Sequence, residues 1–143
     1  MKLAALKLSA VLCAATLACG GDTTEPDPLV GTYIATEWTT TGASGQTNQI
    51  LAGSTLTISL NAGGTTSGHL HVAASGQDPA FDADMGGTWS RNGNTVNFSQ
   101  TADTFVRNMP FTVVANGSNW ALVGNHAFSG TNVQLTLTRG GEI

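Results

Sequence analysis

Ser54-Thr55-Leu56-Thr57-Ile58-Ser59-Leu60 runs into Asn61-Ala62-Gly63-Gly64 and then into Thr65 to Ala74. Leu56, Ile58 and Leu60 fall on one face of an extended chain, with Thr55, Thr57 and Ser59 on the other. A period of two with β-branched polar partners is the pattern of a half-buried strand. The Asn/Gly cluster turns the chain back, and Leu70 and Val72 then share a face opposite His69 and His71. The stretch therefore reads as an antiparallel hairpin with one wet and one dry side.

The same reading extends in both directions. Gly31 to Trp38 forms a strand before a Thr/Gly/Ser/Gln loop. After a longer loop from Ser75 to Met85 come Gly86 to Arg91, the tight-turn pair Asn92-Gly93, and Asn94 to Ser99 with Val96 and Phe98 alternating. Thr104 to Val114, a second Asn-Gly turn at Asn116-Gly117, Trp120 to about His126, and Asn132 to Thr138 complete the series. Eight short strands joined by tight turns, with no helical periodicity between them, predict an all-β chain. The expected architecture is a small eight-stranded antiparallel up-and-down barrel, because closure removes the exposed edges. A two-sheet sandwich is the alternative, but it calls for longer crossover connections. The barrel reading places Leu56, Ile58, Leu60, Trp89, Val96, Phe98, Phe111, Trp120, Leu122, Leu135 and Leu137 inside.

The first 28 of the 143 residues have a different character. Lys2 and Lys7 precede an apolar run from Leu8 to Ala18, about 11 residues and too short for the ~20 that cross a bilayer. Ala15-Thr16-Leu17-Ala18-Cys19 ends that run. A positive segment, an apolar segment, small residues and then a cysteine make the layout of a lipoprotein signal peptide. The expected division is a cleaved segment 1–18, a solvated tether 19–28 with a lipidated Cys19, and a domain 29–143. Cys13 leaves with the signal, so neither cysteine remains for a disulfide. Several acyl chains on Cys19 would anchor the protein stably in a bacterial envelope membrane, most naturally the outer one since Gly20 follows the cysteine. Both lysines are lost with the signal, leaving Arg91, Arg107 and Arg139 against nine carboxylates, six net negative charges. Such a surface has no basic stripe for nucleic acid.

The chain resembles the bacterial lipocalin-like lipoproteins in several short motifs. These are Leu29-Val30-Gly31-Thr32-Tyr33, Gly87-Thr88-Trp89-Ser90, Asp103-Thr104-Phe105-Val106-Arg107 and Val133-Gln134-Leu135-Thr136-Leu137-Thr138-Arg139. In lipocalins a Gly-x-Trp of the first strand packs near an arginine closing the last one. Gly31-Thr32-Tyr33 and Arg139 are similar to that pair, with tyrosine in place of tryptophan. The resemblance implies a barrel that holds a small hydrophobic molecule. Avidin-type barrels also begin Gly-Thr-Trp, but the tryptophans that wall their biotin pocket are not matched by Trp38, Trp89 and Trp120.

Few residues suggest chemistry. No serine sits in a nucleophile elbow, no lysine is left to act as a base, and no phosphate loop opens a helix, so no enzymatic activity or cofactor is expected. His69 and His71 lie two apart on what reads as the wet face, and Asp78, Asp82 and Asp84 gather in a loop. Solvated surface groups are the simpler account of both, and no metal site is expected. Arg107 shares a strand face with Phe105, Met109 and Phe111. It would then point inward and, being desolvated, need a partner such as a ligand carboxylate, unless a bulge puts it on the surface or Glu37 or Asp103 satisfies it. The expected ligand site is Trp89, Phe105, Arg107, Met109, Phe111 and Trp120. The rival expectation is an interaction or inhibitor-type lipoprotein whose barrel is filled by its own side chains.

Overall fold

In a computed structural model of the chain, residues 25–117 and 119–140 are described. Segment 1–18, Cys19 and the tether up to residue 24 lie outside them. The alternation around Leu56 is realised as strand β3 (Thr55–Leu60), which pairs with β4 (Thr65–Val72) so that Leu56 faces Leu70 and Ile58 faces Gly68. The other strands are β1 (Gly31–Gly42), β2 (Gly45–Asn48), β5 (Phe81–Asp84), β6 (Gly87–Asn92), β7 (Thr95–Gln100), β8 (Phe111–Asn116), β9 (Asn119–Phe128) and β10 (Thr131–Arg139). Eight of them run in the order β1, β3, β4, β6, β7, β8, β9, β10, and β10 pairs antiparallel with β1 from Tyr33↔Arg139 to Thr41↔Asn132. The sheet is a closed eight-stranded antiparallel barrel.

Turn chemistry holds the meander in register. β9 and β10 are joined by Ser129 and Gly130, both at positive φ (49° and 76°), the pair of left-handed residues that a two-residue hairpin turn needs to match strand twist. Nine of the eleven residues expected inside are buried, and Trp89 and Trp120 are half-buried and packed against that core.

Three segments differ from the sequence reading. β2 and β5 form inside the stretches read as loops. β2 folds back on the end of β1, and β5 lies against the upper half of β4. Thr104 to Val114 is not one strand. Phe105–Asn108 is a single 3₁₀ turn, and β8 starts only at Phe111. Pro110 explains the break: it has no N–H to give to a ladder, and it holds the preceding Met109 extended at φ −85°, ψ 118°.

The two ends of the barrel differ. At the lower end Leu29 is fully buried, the Tyr33 hydroxyl donates to its carbonyl at 2.9 Å, and the Arg139 guanidinium donates to Pro28 O (2.9 Å) and Val30 O (2.6 Å). Gly31 leaves room for that arginine, since a Cβ there would stand 2.6 Å from Arg139 Nε. At the upper end two seams are loose. β4 pairs with β6 only at Thr65 and Thr66, and β7 pairs with β8 only at Thr95 and Val96. β5 borders the first opening, and the 3₁₀ turn packs over the second against β7 and β9.

Candidate functional site

The loosened upper end holds a cavity of about 500 Å³. Its wall is apolar, made by Trp38, Leu70, Val72, Phe81, Phe105, Phe128 and Val133, with Thr40, Gln49, Asp78, Asp103, Thr104, Ser129 and Thr131 completing it. A volume of this size lies within the range of small-molecule sites, ~300–1,000 Å³.

A bulge in β1 positions its central residue. The register with β10 slips between Ala35 and Glu37, leaving Thr36 unpaired. Without the slip, strict alternation from Tyr33 through Ala35 would point Trp38 outward. The extra residue flips the parity, and Trp38 becomes buried at 2 % exposure with its ring 5.3 Å from that of Phe105. Phe105 reaches it because the 3₁₀ turn carries Phe105 and Val106 inward together, which a strand would not do. Trp38 also borders a more polar cleft of about 440 Å³ with Glu37, Asn48, Asn125 and Gln134. Below the cavity the interior is solid: Met109 and Phe111 are buried and fill the space that Gly124 leaves, where a Cβ would come within 2.9 Å of the Phe111 ring.

Of the six residues expected to line a ligand site, Phe105 alone lies on the cavity. Met109 and Phe111 belong to the packed core beneath it. Trp89 and Trp120 sit toward the opposite end, with Trp89 Nε1 donating to Asn61 O at 2.9 Å and Trp120 paired with Ala115 beside the β8–β9 turn. Arg107 corrects the expectation outright. Its side chain is 46 % exposed and faces Asp103 at 3.6 Å, because a turn of 3₁₀ helix puts it on the opposite side from Phe105 and Val106. Trp38, Val72, Phe81, Thr104, Phe128 and Val133 were missed as cavity residues. What they share is a place near the upper strand ends or in the segments flanking them.

The histidine pair also acquires partners. In β5, Asp84 and Asp82 stand directly opposite His69 and His71 of β4. Asp82 Oδ1 is 3.0 Å from His69 Nε2 and 2.8 Å from His71 Nδ1, and Asp84 is 3.6 Å from His69. The hydrogen bonds from His71 and His69 hold the Asp82 carboxyl below its ordinary range, and the bond to Asp82 lifts His69 above its own. These groups tie β5 to the barrel wall. Among the described residues no group of three or more histidine, cysteine or carboxylate side chains is arranged to hold a metal ion. Comparison with known family models, curated proteins and solved structures finds no match to this chain.

Proposed function

We propose that this chain is a lipid-anchored envelope protein that takes one small, mostly apolar molecule into the upper end of a lipocalin-like barrel. The observation that carries the reading is the apolar cavity of about 500 Å³ above a packed core, walled by Trp38, Phe105, Phe128 and Phe81. Aromatic walls of this kind bury ligand surface without directional demands, and few polar groups are needed to orient what enters. The anchor rests on Cys19 and the segment before it. The described chain enters the barrel at the closed lower end, where Leu29 and Pro28 are held, the end opposite the cavity. The packed lower interior supports the rival reading, an interaction or inhibitor-type lipoprotein with a filled core.

A fluorescent apolar probe separates the two. N-phenyl-1-naphthylamine should bind the purified protein saturably with one site, and Val72→Trp, which fills the cavity, should abolish that site. Absence of saturable binding, or binding indifferent to Val72→Trp, would remove the ligand reading and leave the interaction one. For the anchor, Cys19→Ser should leave an unprocessed precursor without lipid. Processing and fractionation like the wild type would refute it.

A further inference from the structure

Two polar atoms of the cavity residues have no hydrogen bond. Trp38 is 2 % exposed and Thr104 is 3 % exposed. Neither Trp38 Nε1 nor Thr104 Oγ1 finds a partner among the described residues. Both residues line the same cavity, and they belong to one stretch of its wall, since Phe105, next to Thr104, stacks on Trp38 with ring centroids 5.3 Å apart. The other buried polar groups nearby are satisfied: the Gln49 amide donates to Thr40 Oγ1 at 2.8 Å and accepts from Ser54 Oγ at 3.0 Å. Buried donors are nearly always paired, because an unpaired one forfeits its bond to water and gains nothing in return. Both orphan atoms are closed to solvent behind one cavity wall, and an occupant that shifts the side chains over them would make its polar contacts there.

Charge narrows the occupant further. Asp78 and Asp103 are on the wall and, among the described residues, no lysine or arginine is; Arg107 lies outside, paired with Asp103. An anion in this cavity would meet the Asp78 carboxylate and an Asp103 already paired with Arg107, with no further cation on the wall to receive it. An indole N–H is a donor only, so the ligand group facing Trp38 must accept, while the Thr104 hydroxyl can donate to the same atom. We infer that the cavity selects an uncharged apolar molecule carrying a carbonyl oxygen, which accepts from Trp38 Nε1 and from the Thr104 hydroxyl, and that it discriminates against carboxylates. This rests on the cavity being a ligand site, as proposed above.

Three compounds with one ring system test it: 2-acetylnaphthalene, 2-ethylnaphthalene, which lacks the acceptor, and 2-naphthoate, which carries the charge. Isothermal titration calorimetry on the purified protein should show the ketone binding about 2- to 10-fold more tightly than the ethyl compound, the scale of one neutral hydrogen bond. The carboxylate should bind more weakly than either. Trp38→Phe keeps an aromatic ring and removes the donor, so it should erase the advantage of the ketone while 2-ethylnaphthalene still binds. Thr104→Val should reduce the same advantage without lowering the melting temperature, because no hydrogen bond of the folded chain is lost. If 2-ethylnaphthalene binds as well as the ketone, if the carboxylate binds best, or if the preference survives both variants, the inference fails while the cavity remains a ligand site. If none of the three binds, the ligand reading fails with it.

Discussion

Leu135 sits in the middle of β10 with 1 % of its surface exposed, between Val133 and Leu137 on the same face and opposite Trp38 and Gly124 on the neighbouring strands. Truncating a leucine so enclosed removes its burial and leaves a void in a wall of fixed backbone. Leu135→Ala should lower stability by ~2–5 kcal/mol in urea denaturation. Arg107 is the contrasting case. Its surface pair with Asp103 is of the kind that contributes little, so Arg107→Leu should stay within ~0.5 kcal/mol of the wild type and leave uptake of a neutral probe unchanged. A larger loss in either measurement would mean that Arg107 reaches into the barrel after all. Leu135 was legible in the sequence because its neighbours obey a period of two. Arg107 was misread because the same period was extended across Pro110, where the ladder cannot continue.

Among the elements, β5 is the one held most by charge. It is four residues long, and three of them, Phe81, Asp82 and Asp84, are exposed. Its link to β4 includes the His69, His71 and Asp82 contacts. His69 is raised from 6.5, so its contribution is complete below 6.5 and is lost as pH rises through the raised value. Asp82 is lowered from 3.8, so its contribution is complete above 3.8 and is lost as pH falls through the lowered value. Attachment of β5 should therefore be firmest between pH 3.8 and 6.5 and loosen on both sides. Once intrinsic exchange rates are corrected for pH, amide protection of residues 81–84 should follow that profile, and Asp82→Asn should flatten it. Gly68 governs the neighbouring hairpin. It sits at φ 138°, and a Cβ there would stand 2.9 Å from Ile58 Cα and overlap the Thr57 carbonyl. Gly68→Ala should cost ~1–3 kcal/mol in the same denaturation assay, because backbone rather than a movable side chain must shift.

For the molecule as a whole, closure is the central feature. β1 and β10 pair over nearly their full length, and Gly140 N donates to Thr32 O at 2.9 Å. Both ends of the described chain therefore meet at the lower end of the barrel. A circular permutant joining residue 140 to residue 25 by a short Gly/Ser linker, with new ends between Gly93 and Asn94, should keep a cooperative thermal transition by circular dichroism. Deleting residues 131–140 should abolish that transition, since β1 and β9 would both become open edges above an exposed apolar face. A permutant that fails to melt cooperatively, or a truncation that still does, would show that closure is not what holds the fold.

How much was legible divides along a physical line. Alternation, turn residues and the absence of helical periodicity are local, and they were enough for an all-β chain, eight barrel strands, nine of the buried residues and the three hairpin turns. They also argued against a nucleic-acid partner in a chain so short of cations, whereas the carboxylate ligand expected of Arg107 rested on reading that residue as inward-facing. The cavity was not local information. Trp38 points inward only because one unpaired residue in β1 is absorbed against β10, and such a slip depends on a strand about 100 residues away. Phe105 reaches Trp38 only because a 3₁₀ turn replaces strand, and Phe81 lines the mouth only because β5 pairs with β4. Period and turn signals describe how a segment folds on itself. Where the loose seams fall, which side chains meet across them and which polar atoms are stranded between them were decided by closing the barrel.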